Sequence, residues 1–144
     1  MGEASNDCES GIAQKAIEVI VVEDDDDARA LLAMFLERRK CSVRAFADAL
    51  SAQEAAVDHA PDVVVTDLRL LGSAGWTLAA ALREDARTRH VALVAVTGEV
   101  EPRREVIESF DAYLRKPIDL ERIADLVEQL AAISRSARLQ RRGG

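Results

Sequence analysis

The sequence predicts an α/β fold: a doubly wound parallel sheet of five strands with helices on both faces. Three observations carry the prediction. Five short runs rich in Val, Ile and Ala each precede a stretch of helical apolar spacing. The connections between them are short, which favours parallel strands joined by helical crossovers. Four of the five runs end on an acidic, hydroxyl or basic residue, as expected where strand ends open into a cleft.

The elements follow in order. Residues 1–16 are polar, carry Gly2 and Gly11, and read as a flexible N-terminal arm. Ile17 to Val22 is a β-branched run suited to a strand buried on both faces. Asp26 to Lys40 has apolar residues at 28, 31, 32, 35 and 36, one face of a helix. Ser42 to Phe46 is the second strand. Asp48 is placed to cap an alanine-rich helix over Ala49 to His59. Pro61-Asp62 breaks the chain before a third strand, Val63 to Thr66, which ends at Asp67. Leu68 to Ala74 is a loop, and Gly75 to Arg83 a helix with Leu78 and Leu82 one turn apart. Val91 to Val96 is the fourth strand, ending at Thr97-Gly98. Pro102 to Ser109 is a short helix. Ala112 to Arg115 is the fifth strand, ending at Lys116-Pro117. Asp119 caps the last helix, apolar at 120, 123, 124, 127, 130 and 131. The domain is thus expected over 17–133. A basic tail, 134–144, holds Arg135, Arg138, Arg141 and Arg142, and either extends the last helix or frays.

Bulk composition narrows the function classes. The 144 residues suffice for one domain with a single core. Aromatic residues are only 3% of the chain, so Ala, Val, Leu and Ile must build that core. A net charge of −7 argues against a general nucleic-acid surface. Cys8 and Cys41 show no metal-binding spacing and read as free thiols. No apolar run approaches the roughly 20 residues that a membrane helix needs. The polar, acidic N-terminus is unlike a signal peptide. These features point to a soluble cytoplasmic protein with neither nucleic acid nor membrane as partner. His59 and His90 lie beside loops without partners at ligand spacing and read as surface residues. Trp76, the only tryptophan, reads as a packing residue.

The strand ends carry the chemistry. Glu23 and Asp24 follow the first strand, Asp67 the third, Thr97 the fourth and Lys116 the fifth. Three carboxylates in one cleft cannot all stay ionised without a counterion. A hard divalent cation held by oxygen donors, such as Mg²⁺, answers the problem. A carboxylate nucleophile, a metal, an ammonium and a hydroxyl together suit phosphoryl transfer. The remaining acids of the cluster, Asp25, Asp26 and Asp27, are better placed to favour a helix N-terminus than to bind metal.

The segments VVEDDDDAR, VVVTDLRLLGSAGW, VAVTG and YLRKP, in this order and spacing, resemble the receiver domain of two-component response regulators (CheY-like) over about residues 17–131. The resemblance implies a flavodoxin-like sheet of order 2-1-3-4-5 with five helices. It implies that Asp67 is the phosphoacceptor, served by a histidine kinase or a histidine phosphotransfer protein. Glu23, Asp24, Asp67 and the backbone carbonyl of Arg69 would hold Mg²⁺ (or Mn²⁺), and Thr97 and Lys116 would contact the phosphoryl oxygens. Thr97 and Tyr113 would form the switch, and the Lys116–Pro117 peptide would be cis. The output surface would be the face of the fourth helix, fifth strand and fifth helix, binding a downstream protein. With no output domain after the last helix, a stand-alone phosphorelay regulator is expected, not an enzyme beyond self-catalysed phosphotransfer and dephosphorylation.

The sequence also departs from the family. Leu71 replaces the usual proline and Ala74 the usual aspartate, so the loop after Asp67 is less pre-organised. Arg69 and Glu99 occupy positions that tune hydrolysis in the family, and are expected to pair across the mouth of the site. Three alternatives compete with this reading. A pseudo-receiver acting as a phosphorylation-independent protein-binding module is the runner-up, disfavoured by the full set of site residues. A haloacid-dehalogenase-type phosphatase would need a second aspartate where Arg69 stands. A flavin or nucleotide binder would need a glycine-rich loop after the first strand, which is absent.

Overall fold

The computed structural model describes residues 15–70, 73–98, 104 and 108–143, with the backbone alone for 70, 73–76 and 140–143. The central sheet consists of β1 (Ile17–Val22), β2 (Cys41–Phe46), β3 (Val63–Asp67), β4 (Ala92–Thr97) and β5 (Ala112–Arg115). Its order is β2-β1-β3-β4-β5, and every pairing is parallel. The helices described are α1 (Asp26–Arg38), α2 (Ala49–Asp58), α3 (Gly75–Glu84) and α4 (Leu120–Gly143). An additional two-residue antiparallel pair, Arg69–Leu70 with Ser73–Ala74, flanks the loop after Asp67. The helix expected over 102–109 lies largely outside the described residues. Within it, the Glu108 amide donates to the Arg104 carbonyl at 2.9 Å, a helical step.

Side-chain alternation along the strands divides the core into two layers. Val19, Val21, Val63, Val65, Val94 and Val96 point to one face, where Leu32 and Leu36 of α1 and Ile123, Ala124 and Val127 of α4 cover them. Ile20, Val22, Val64 and Leu93 point to the other, against Ala49, Ala52 and Ala56 of α2 and Leu78 and Leu82 of α3. The alanines let α2 lie close on the sheet, which suits a core almost without aromatics. The starts of α1, α2 and α4 each carry an aspartate cap. Asp25 accepts from the Ala28 amide at 2.8 Å, and Asp48 from that of Ser51 at 2.7 Å. Asp119 accepts from the Glu121 and Arg122 amides at 3.1 and 3.3 Å. Capping is the role expected of acids such as Asp25 at the start of a helix.

Contacts between distant residues anchor several surface positions. Of the two alternatives for the basic segment after 133, the helix extends: α4 runs on to Gly143, and its first turns there are docked. Buried Ser134 donates its hydroxyl to the His90 carbonyl at 3.0 Å. Arg135 donates to both oxygens of buried Asp62, at 3.1 and 3.0 Å, and to the carbonyls of Lys15 and Ala16. His90 is not unpartnered, because Arg138 donates to its Nε2 at 3.1 and 2.8 Å. His59, exposed as expected, lies 2.8 Å from Glu18. In each case a partner distant in sequence supplies the contact. Cys41 is a free, buried thiol, whereas Cys8 lies outside the described residues.

Candidate metal and phosphoryl site

The chain leaves β1 toward β2 on one side and returns to β3 on the other. The crevice between the C-terminal ends of β1 and β3 is therefore the switch point of the sheet, where ligands of such folds bind. Glu23 and Asp24 stand on one side of it and Asp67 on the other. Each of these three residues offers one carboxylate oxygen, and the three oxygens lie within 4.8 Å of one another. Glu23 and Asp67 are buried and Asp24 is half-buried.

Lys116 bridges the two walls. Its Nζ donates to Asp67 Oδ2 at 2.8 Å and lies 3.6 Å from Glu23 Oε1. The other oxygen of Asp67, Oδ1, accepts from the Arg69 amide at 2.8 Å. These two bonds fix the plane of the carboxylate. The lysine is positioned in turn by its own amide, which donates to the Thr97 carbonyl at 2.8 Å, and the Lys116–Pro117 peptide is cis. Thr97 is fully buried at the end of β4, one residue past Val96, the neighbour of Asp67 in register. Tyr113 on β5 is half-buried and packs with Phe110 against Leu68 and Ala95.

The electrostatics follow from this packing. Burial raises the Glu23 carboxyl above its ordinary range, and neighbouring Asp67 and Asp24 add to the rise. The Asp25 amide and Lys116 oppose it without cancelling it. Burial on its own would lower Lys116, but its hydrogen bond to Asp67 and the charges of Asp67 and Glu23 raise it overall. One ammonium thus faces three carboxylates, an arrangement with spare negative charge and hard oxygen donors. Such a donor set fits a small divalent cation.

The structure brings together Glu23, Asp24, Asp67 and Lys116, and sets Thr97, Arg69 and Tyr113 around them. Arg69 is exposed, and its backbone joins the site through its amide. Glu99 and Leu71 lie outside the described residues, so the expected Arg69–Glu99 pair does too. One contributor was missed in the sequence. Arg29 of α1 donates through Nη1 to the Glu23 carbonyl at 2.8 Å and through Nη2 to Asp26 at 2.6 Å. The available signal was the acid–arginine spacing of three on one helix face.

Comparison with known proteins agrees with this geometry. The model of the response regulator receiver domain matches residues 19–128. The chain belongs to the response regulator receiver family. It is 30% identical over 115 residues to the DNA-binding dual master transcriptional regulator RpaA of Synechocystis sp., covering 78% of this chain and 48% of that protein. It is 31% identical over 124 residues to the transcriptional regulatory protein SrrA of Staphylococcus aureus, covering 85% of this chain and 51% of that one. The receiver therefore spans about half the length of these relatives. Among solved structures, a CheY-like receiver domain from Methylobacillus flagellatus superposes with a TM-score of 0.74 at 27% identity, over 80% of this chain and 98% of that one. The receiver domain of a sensor histidine kinase from Pseudomonas aeruginosa, solved with magnesium in its active-site cleft, shares the fold with a TM-score of 0.76 at 22% identity, over 81% and 98%.

Proposed function

We propose that this receiver accepts a phosphoryl group on Asp67 from the phosphohistidine of a kinase or phosphotransfer protein, in a reaction dependent on Mg²⁺ (or Mn²⁺), and signals by altered protein–protein binding. The observation that carries the reading is the bonding of Asp67. Its two oxygens are oriented by Lys116 and the Arg69 amide, within reach of two further carboxylates. A carboxylate oxygen of Asp67 attacks phosphorus, the P–N bond breaks, and its electron pair leaves with the imidazole of the donor. Lys116 stays beside the acyl phosphate and meets the charge on its oxygens. Glu23, Asp24, Asp67 and the Arg69 carbonyl would hold the cation, which when bound neutralises charge on the phosphoryl group.

Buried Thr97 lies one residue past the strand neighbour of Asp67, and its hydroxyl is the donor recruited by the new phosphoryl oxygens. Movement of Thr97 makes room for Tyr113, whose ring packs against Ala95 two residues upstream. Arg69 and Glu99 set the lifetime of the product by limiting the approach of water. A location in the cytoplasm and an output through the β5–α4 face belong to the same proposal.

Intact mass after incubation with acetyl phosphate and Mg²⁺ tests it. One added phosphoryl group is expected on the wild type and none on Asp67→Ala. A wild type that stays unmodified with both small-molecule and phosphohistidine donors would instead establish the pseudo-receiver.

A further inference from the structure

Arg29 ties the first helix to the turn that carries Glu23 and Asp24. It lies on the first turns of α1, yet only 22% of its side chain is exposed. Its Nη1 donates at 2.8 Å to the main-chain carbonyl of Glu23, the residue that turns the chain out of β1 and into the acid cluster. Its Nη2 grips Asp26 at 2.6 Å. The same short segment has other ties, among them the Asp25 cap of α1. The Glu23 amide donates to the Phe46 carbonyl at 3.0 Å, and the Asp25 amide donates to Glu23 Oε2 at 3.0 Å. The Arg29 guanidinium is the tie that spans from the helix back to the strand end. Its planar fork satisfies two acceptors at once, which an ammonium cannot do with the same rigidity.

We infer that Arg29 is a positioning residue for divalent-cation binding, holding the Glu23–Asp24 turn so that both side chains are aimed into the crevice before the ion arrives. The inference rests on the metal-dependent reading above and adds a residue to it. Two physical effects of Arg29 on cation affinity have opposite signs. Its positive charge repels a second cation, so charge alone predicts tighter binding when it is removed. Its role as a fastener predicts weaker binding, because an unfastened turn must be ordered by the ion. Outer partners that orient metal ligands typically contribute about 10–100-fold in affinity. That exceeds what one charge near the surface, already paired with Asp26, contributes through a high effective dielectric. The fastening effect should therefore win.

The test is Mg²⁺ titration by calorimetry on the unphosphorylated protein, with circular dichroism of each variant to confirm the fold. Arg29→Ala should bind Mg²⁺ about 10–100-fold more weakly than wild type. Arg29→Lys keeps the charge and loses the fork, and should fall between the two. Asp26→Asn breaks the ion pair but leaves the carbonyl bond, and should stay within about threefold of wild type, in line with the small worth of exposed pairs. A folded Arg29→Ala with equal or tighter affinity would overturn the inference. Should that variant fail to fold, an Arg29→Lys with wild-type affinity would overturn it equally. Wild-type protein that binds no Mg²⁺ would bring down the metal-dependent reading itself, a result distinguishable from unaltered variants beside a binding wild type.

Discussion

Asp67 shows how one side chain acquires a role from its bonds. A carboxylate at a strand end is ordinary; one whose two oxygens are claimed by an ammonium and a backbone amide has a fixed plane and a charged neighbour. Lys116→Ala should leave the nucleophile in place but remove its partner, so phosphorylation by acetyl phosphate, followed by intact mass, should slow at least tenfold, by the worth of one charge-assisted hydrogen bond of about 1.5–3 kcal/mol. Glu23 makes a second prediction. Burial raises its carboxyl. A group raised on folding binds its proton more tightly in the native state, so its contribution to stability is present at low pH and is lost as pH rises through the raised range. A cation can bind there only after that proton leaves. Mg²⁺ affinity by calorimetry should therefore climb with pH through the region above the ordinary glutamate range and then level off. In Glu23→Gln the climb should flatten and the overall affinity should drop.

The elements repeat the lesson at a larger size. Strand ends, caps and core faces were legible because they rest on local chemistry: β-branched runs, aspartates ahead of helices, apolar residues at spacings of three and four. What could not be read was the set of bonds between distant residues. Pro61-Asp62 reads as a break in the chain, but Asp62 is 3% exposed and neutralised by Arg135, 73 positions away. The Arg29 clasp is local, yet its main acceptor is a backbone carbonyl, which no residue pattern announces. The end of α1 holds a testable detail. Lys40 sits at φ 70°, a left-handed conformation after the C-cap Arg39 that glycine adopts without penalty. Lys40→Gly should stabilise the protein by up to about 1 kcal/mol, measured by urea unfolding. The gain is reduced by the greater freedom of glycine in the unfolded chain.

For the whole molecule, the question is whether one phosphoryl group can reset the fold. Moving a population from 1:99 to 99:1 takes about 5.5 kcal/mol of differential interaction. Thr97 alone, as one donor to a charged acceptor, supplies about 1.5–3 kcal/mol. In the proposed switch, Lys116 and the cation supply the remainder. Thr97→Ala should therefore still take up phosphate while showing only a partial change in amide exchange along β5 and α4, against a full change in the wild type. The far end of the sheet is fastened independently. Arg135 joins α4 to Asp62 and to the carbonyls of Lys15 and Ala16. Its replacement by alanine should cost about 1.5–3 kcal/mol in urea unfolding while leaving phosphorylation intact, since it lies across the sheet from Asp67. A consequence follows for anyone trimming the protein. The apolar spacing of the final helix gives out near position 133, which invites a cut there. Such a shortened chain would strand a buried acid without its counter-charge and unpin the first strand at its start, so a boundary chosen by hydrophobicity would remove the bolt along with the overhang.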